Sequence, residues 1–250
     1  MRTKTLLIAG AALAAGILAC SAQTYSQNIV GYVTVTLPLG YSVCAVPLNS
    51  GAATGNAATN TIINLPSNPV LDGAYLYSWN GHSYVGITFD SSQPTGFADF
   101  ADAHSVPTPV INPGQGFLIN NNTGVAVTNV FTGSVAISAL PGTTTNNLPA
   151  GYAFVSSVLP VGGGLNSVLQ LTNASANNAL DGSYVYMPNI VGGVIHGYNV
   201  VTVDSSQPQG FADFADANSV PEPQFPVSGG FLYNNNLNAG TVLWVQTLNP

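Results

Sequence analysis

Eight aspartates recur at matched places in this sequence, and they are the side chains best suited to chemistry. Only Glu222, the ninth carboxylate, has no acidic counterpart. Calcium prefers several oxygen ligands, so one hypothesis is a weak Ca²⁺ site in each half, built from Asp90, Asp99 and Asp102 and again from Asp204, Asp213 and Asp216. The alternative, favoured by this turn-rich composition, is that each aspartate accepts hydrogen bonds from nearby backbone N–H groups. The remaining matched pair is Asp72/Asp181.

A second hypothesis pairs Asp90 with Asp204 as the two carboxylates of an aspartic-protease-like hydrolase. Each aspartate follows a β-rich run and precedes two serines, once in each half of the chain. Two carboxylates that share a proton are the chemistry of that class. Such enzymes carry a pattern resembling Asp-Thr/Ser-Gly, in which glycine lets the backbone approach closely, but Ser92 and Ser206 stand at that place. The hydrolase is therefore the least favoured alternative.

Two histidines, His82 and His196, are also matched, and each is followed two residues later by a tyrosine. Gly81-His82-Ser83 superficially resembles a hydrolase nucleophile turn, but Val85 occupies the place of its second glycine. A shared structural role on one strand face is expected instead. The sequence contains no zinc spacing, phosphate loop or dinucleotide fingerprint. It therefore predicts a non-enzymatic protein with no catalytic residue.

The aspartates are matched because the chain is an internal duplication. Segment 90–109, DSSQPTGFADFADAHSVPTP, returns at 204–223 as DSSQPQGFADFADANSVPEP, with three of twenty positions changed. The predicted organisation is a signal peptide, a first β module, a linker of turn and loop formers and a second β module, at 1–22, 23–141, 142–147 and 148–250.

β-Branched and aromatic runs separated by turn residues predict strands in both halves. The first two are 28–37, which Pro38 stops, and 41–48. Asn80-Gly81 predicts a hairpin turn. The second half widens that hairpin by five residues near 190–194, which predicts an exposed loop tolerant of length. An all-β fold of two tandem β-sandwich or small β-barrel modules is expected.

Three local features complete the predicted fold. Phe97, Phe100 and Ala101 have the spacing of one helical turn, with strand pairing as the alternative. A short helix is predicted near 60–65. Cys44 aligns with Val155 of the second half, which predicts a small buried core side chain and not a reactive thiol.

Turn and core residues carry a resemblance to a known kind of module. The series comprises GYSV at 40–43, YSWNG at 77–81 and NPGQGFLI at 112–119. It resembles a repeated β module common in secreted bacterial proteins. The second half keeps Gly151-Tyr152 and Gly230-Phe231 but has Met187-Pro188 where the tryptophan would recur. The resemblance implies an all-β extracellular module of undefined activity.

The N-terminus and the charge balance limit the location and the partners. Arg2 and Lys4 precede a small and apolar run from Leu6 to Ala19, which is the pattern of a secretory signal peptide cut after Ala22. Soluble export is favoured over a lipid anchor at Cys20. Because Arg2 and Lys4 are the only basic residues, the exported chain would have no Lys or Arg. That composition excludes the usual basic patch for nucleic acid or anionic lipid, and no integral membrane span is predicted.

The predicted function is that of a secreted or cell-surface structural or adhesive protein of unknown ligand. A carbohydrate-binding module is the alternative, because Tyr75, Tyr77, Trp79 and Tyr84 could stack against sugars. Without lysines to discourage edge pairing, exposed strands are also expected to self-associate or to contact extracellular polysaccharides. Ca²⁺ is the only cofactor that the sequence suggests.

Overall fold

A computed structural model describes residues 30–51, 69–137, 141–171, 180–235 and 240–248. The described part is built from antiparallel strands and one 3-10 turn at Pro69–Leu71, so the all-β prediction is confirmed. The signal peptide at 1–22 and the short helix predicted near 60–65 lie outside the described residues.

The first half forms a five-stranded sheet and a two-stranded ribbon. The sheet order is β2-β6-β3-β4-β5, and β1 pairs with β7 in the ribbon. Asn80 and the residues after it form the turn between β3 and β4, as the sequence predicted. The strands are β1 Val30–Leu37, β2 Gly40–Ala45, β3 Tyr75–Trp79, β4 Tyr84–Phe89, β5 Phe97–Asp99, β6 Gly116–Asn121 and β7 Val127–Ser134.

The second half repeats this order when equivalent strands are matched. Its sheet runs β9-β15-β11-β12-β13, β8 pairs with β16, and β10 and β14 add a small bridge. The strands are β8 Gly142–Leu148, β9 Gly151–Ser156, β10 Gly163–Gly164, β11 Tyr184–Val191, β12 Val194–Val203, β13 Phe211–Asp213, β14 Gln224–Phe225, β15 Gly230–Asn235 and β16 Val242–Leu248.

One local prediction is wrong, and one pair of alternatives is decided. Residues 142–147, predicted to be a loop linker, lie in strand β8, which pairs with β16 along its whole length. Three consecutive threonines favour extended backbone there, and alternate positions are buried or half-buried, which outweighs the local preference of Gly142 and Asn146 for turns. Of the two alternatives for Phe97, Phe100 and Ala101, strand pairing holds for Phe97, which is buried in strand β5, whereas Phe100 and Ala101 lie exposed in the turn that follows.

Each half packs its sheet and ribbon around its own apolar core. Phe117 and Ile119 of β6 fill the first core together with Phe89 and Phe97, and Cys44 is buried among them, as predicted. Phe231, Tyr233 and Trp244 occupy the second. Burying a large apolar side chain contributes about 1.5–3 kcal/mol, so these cores stabilise the two sandwich-like halves.

The outer faces of the two five-stranded sheets pack against each other. Leu118, which lies between two core residues of β6, contacts this second layer together with Phe154 and Leu232. We call this layer the aromatic interface, formed by Val43, Tyr77, Trp79, Tyr84, Leu118, Phe154, Tyr186, Ile195 and Leu232. It explains why 117–119 is a continuous apolar run, since both faces of the strand are covered.

The longer hairpin of the second half also reaches the first half. The N–H of Tyr41 donates to the carbonyl of Gly193 at the tip of the β11–β12 hairpin, over 2.8 Å. The sequence predicted an exposed, length-tolerant loop at this place. Val191, Gly192 and Val194 at the tip are exposed, as predicted, while Gly193 pairs with the backbone at the start of β2, so the longer hairpin also provides a contact between the halves.

Candidate functional site

The aspartates were the first candidates for chemistry, and each is engaged in a turn of its own half. Asp72 accepts bonds from the N–H and the hydroxyl of Ser91, the former at 2.8 Å. Asp181 accepts the same two bonds from Ser205 at 2.8 and 2.6 Å. These contacts join the turn before one strand to the turn after its hairpin partner, which is a structural task.

Asp90 and Asp204 cap the turns that follow β4 and β12. Asp90 accepts bonds from the N–H and hydroxyl of Ser92, at 2.9 and 2.5 Å, and from the amide of Gln93 at 3.2 Å. Asp204 has the equivalent partners Ser206 and Gln207. The hydrogen bond from the serine hydroxyl is the main cause that lowers the pKa of each carboxyl below its usual value.

The surroundings of Asp90 and Asp204 differ from those of the carboxylate pair that the aspartic-protease hypothesis requires. Two carboxylates that share one proton raise the pKa of one member of the pair. The pKa values of Asp90 and Asp204 are both lowered, and their bonds run to serine and glutamine side chains of their own halves. Both carboxylates are therefore ionised caps.

The remaining aspartates also cap their own loops. Asp99 accepts a bond from the N–H of Ala101 at 2.7 Å, and Asp102 accepts one from the N–H of His104 at 3.2 Å. Asp213 and Asp216 repeat these bonds. Within the described part of the chain, no three His, Cys, Asp or Glu side chains are grouped so that they could hold a metal ion. The calcium hypothesis therefore lacks the convergence of carboxylates that it requires.

The histidines occupy dissimilar places. His82 lies in the turn between β3 and β4, where its backbone N–H donates to Oδ1 of Asn80. His196 lies within β12. The predicted common role on one strand face is therefore wrong. Nδ1 of His104 lies 3.0 Å from Oδ2 of Asp102, and the two side chains form an ion pair when His104 is protonated. Both side chains are largely exposed, so the pair contributes little stability.

Aromatic residues are arranged in two equivalent rows. In the first half the ring centroids of Phe100 and Tyr75, Tyr75 and Tyr77, and Tyr77 and Tyr41 are 5.0, 6.4 and 6.0 Å apart. The equivalent distances in the second half are 5.2, 6.3 and 5.8 Å, along Phe214, Tyr184, Tyr186 and Tyr152. No sequence pattern placed Phe100 in such a row, although its recurrence as Phe214 was visible.

Three of the four predicted sugar-stacking residues belong to the aromatic interface. Trp79 donates from Nε1 to the carbonyl of Tyr152 over 3.0 Å, and the ring of Tyr84 is edge-on to Trp79 and to Phe154. Burial raises the pKa of Tyr77 to about 12. These rings hold the halves together, which leaves Tyr75 as the predicted stacking residue that lies outside the interface.

Tyr75 and Phe100 line a groove at the edge of the first sheet. The groove has a volume of about 310 Å³. We call it the edge groove, and its side walls include Asp72, Tyr75, Asp90, Asp99 and Phe100. A larger cleft of about 600 Å³ lies where the halves meet, bounded by Trp79, Asn146 and Tyr152 among others.

No protein-family model, curated protein or solved structure matches the chain. No helix among the described residues has the length and apolar character needed to cross a membrane. The case for a function therefore comes from the chain's own geometry.

Proposed function

We propose that this chain is a secreted or cell-surface, non-catalytic protein with a structural or adhesive role. The observation that carries the proposal is the aromatic interface, which joins two similar β halves into one body. Tyr84 packs against Phe154 and Trp79 bonds to the carbonyl of Tyr152 across it, and β6 contacts β9 as β15 contacts β2. A body of this kind displays two equivalent surfaces in a fixed relation, which suits simultaneous contacts with an extended surface.

The side chains that could do chemistry support a non-catalytic role. The aspartates accept hydrogen bonds within turns, and Cys44 is buried with its pKa raised by burial to about 12, far from nucleophilic. These groups stabilise turns and core. The sequence pattern at 1–22 supports export.

An export and adhesion experiment tests this proposal. The full chain, expressed in a Gram-negative host, is expected outside the cytoplasm and cleaved after Ala22. The purified product, labelled with a fluorophore at its N-terminus, is expected to remain after washing on at least one of cellulose, chitin, peptidoglycan or mucin surfaces. Cytoplasmic retention, or wash-off from all four surfaces, would contradict the proposal.

Carbohydrate binding is a second candidate, favoured by the edge groove with its exposed aromatic ring. Truncating Trp79 is not a clean test of it, because Trp79 bonds to Tyr152 and packs against Tyr84. Loss of binding in Trp79→Ala would follow from a loosened interface even if no sugar ever touched the indole. A clean test has to alter an aromatic residue outside the interface.

A further inference from the structure

We propose that each half carries a binding site for a neutral saccharide, formed by Tyr75 and Phe100 with the surrounding carboxylates and again by Tyr184 and Phe214. The inference rests on the proposed adhesive function and deepens it, since it names the class of ligand. The first site is the edge groove. The second consists of the equivalent residues around Phe214.

The aromatic part of each site is exposed and held in one orientation. Phe100 and Phe214 are each 55% exposed, the same value at two equivalent positions. Each ring lies edge-on to a tyrosine, at interplanar angles of 68° and 76°. Phe97 and Phe211, three residues earlier in β5 and β13, are fully buried. A strand anchored in the core therefore positions each exposed ring. Water-exposed phenylalanine is unfavourable by itself, whereas an apolar ring at the rim of a groove is a common feature of ligand sites.

The turn that carries each ring is itself held in an uncommon backbone conformation. Ala103 and Ala217 have φ angles of 58° and 57°, in the left-handed region that side chains other than glycine rarely adopt. The N–H of Ala103 donates to the carbonyl of Asp99 at 3.1 Å, and Ala217 makes the same bond to Asp213. The two turns therefore present Phe100 and Phe214 in the same way.

The polar part of each site offers acceptors to hydroxyl groups. Asp72, Asp90 and Asp99 line the edge groove, and hydrogen bonds from Ser92 and Gln93 favour the ionised form of Asp90. An ionised carboxylate has about four acceptor positions, more than the turn contacts occupy. Sugar hydroxyls are donors, and the C–H face of a pyranose suits the negative face of an aromatic ring.

Charge decides between classes of saccharide. The described residues include no Lys or Arg, so nothing there would neutralise the carboxylates of an acidic polysaccharide. The aspartates at the rim of the groove would repel such a polymer. A neutral glycan fits this chemistry, and a polymer that spans both sites would gain avidity from the fixed relation between the halves.

Native gel electrophoresis of the full chain in polysaccharide-containing gels tests the inference. The gels contain hydroxyethyl cellulose, laminarin, xyloglucan or galactomannan as neutral polymers and polygalacturonate as the acidic one. We expect retardation in at least one neutral gel and none in polygalacturonate. The double variant Phe100→Ala with Phe214→Ala should lose the retardation, and each single variant should show an intermediate effect. Phe100→Tyr with Phe214→Tyr should keep it.

A matched control separates the site from general surface apolarity. Val130 and Leu243 are about as exposed as Phe100, at 51% and 49%, but lie on the ribbons. Val130→Ala with Leu243→Ala should leave the retardation unchanged. Migration of the unmutated chain unaffected by all four neutral polymers, retention that survives in the folded Phe-to-Ala double variant, or stronger retention by polygalacturonate would each overturn the inference. Adhesion to a surface without any such retardation would leave the proposed function standing and remove the saccharide site alone.

Discussion

Gly116 and Gly230, the equivalent glycines that open β6 and β15, face each other where the two sheets meet. A Cβ atom placed on Gly230 would lie 3.3 Å from the Cα of Gly116 and 3.0 Å from the carbonyl oxygen of Val155. A Cβ on Gly116 would lie 3.0 Å from that same oxygen. The glycine before the aromatic residue in each half is thus required by the close approach of the halves.

Gly230→Ala should destabilise the protein because backbone atoms of β9 and β6 would have to move. Overpacking of this kind costs about 1–3 kcal/mol, which corresponds to a fall in melting temperature of about 2–4 °C per kcal/mol for a chain of this size. Thermal unfolding followed by circular dichroism measures it. Gly31→Ala is the control, since a Cβ there meets nothing within 4 Å. Equal melting temperatures for the two variants would show that the halves are not in close contact at Gly230.

The sequence was sufficient to predict β1 to β4 and the buried Cys44, but not strand β8 or the contact between the halves. Alternation and turn residues identify β1 to β4, and the alignment of Cys44 with Val155 correctly predicts a buried thiol. Tyr77 and Trp79 lie on the outer face of β3. The alternation of residues along this strand is the same whether that face meets sugar, solvent or a second sheet. Only the tertiary arrangement decides among these, because local periodicity carries no information about the partner surface.

The acidic residues illustrate the same limit at the candidate site. Their matched positions were visible, but convergence of Asp90, Asp99 and Asp102 depends on loop paths that short-range spacing does not determine. The bonds observed at Asp99 and Asp102 are to N–H groups two residues further on, which is the local alternative the sequence had already favoured.

A substitution at Gly40 should reveal how much the hairpin tip contributes. Gly40 and its equivalent Gly151 have φ angles of 82° and 76°, so alanine is strained at both. A Cβ on Gly40 would lie 2.3 Å from the carbonyl oxygen of Gly193, whereas one on Gly151 meets nothing within 4 Å. Gly40→Ala should therefore lower the free energy of unfolding by about 1–3 kcal/mol more than Gly151→Ala does. The alternative outcome is that the hairpin tip is released from β2. Urea unfolding gives the difference, and protease cleavage near Gly193 detects release. Equal costs without cleavage would mean that the tip is not docked.

Calcium should leave the stability of the protein unchanged. Because the aspartates accept hydrogen bonds within turns and, in the described part of the chain, are not grouped so as to hold a metal ion, melts in EDTA and in millimolar calcium, at matched ionic strength, should superimpose. Asp99→Ala with Asp213→Ala should lower the free energy of unfolding by about 0.5–1.5 kcal/mol per lost hydrogen bond in both solutions. Asp99→Asn with Asp213→Asn keeps an acceptor for the N–H groups of Ala101 and Ala215, so its loss of stability should be smaller. A melting temperature that rises with calcium and stops rising in the asparagine variant would restore the calcium hypothesis.

Alkaline pH should unfold the protein, because several weak acids are held in their neutral form. Burial raises the pKa of Cys44 from 9.0 to about 12 and that of Tyr233 from 10.0 to about 12, and burial also raises the pKa of Tyr84 at the interface. In the unfolded chain these groups lose their protons near their ordinary values. Between about pH 9 and 12 the unfolded state therefore binds fewer protons, so stability falls as pH rises, and the ionisation of these thiol and phenol groups has no effect on stability below that window.

Cys44→Val is the matched variant for this prediction, because Val155 holds the equivalent position in the second half. Each pH unit above the ordinary thiol pKa costs the unmutated protein about 1.4 kcal/mol until the folded pKa is reached. Removing the thiol should therefore move the alkaline unfolding midpoint to higher pH, measured by tyrosinate absorbance and circular dichroism together. The Cys44 thiol should also resist a thiol reagent at pH 8 and react in guanidinium. Rapid labelling of the folded protein, or the same alkaline midpoint with and without Cys44, would show that its thiol is not buried and that its ionisation does not drive unfolding.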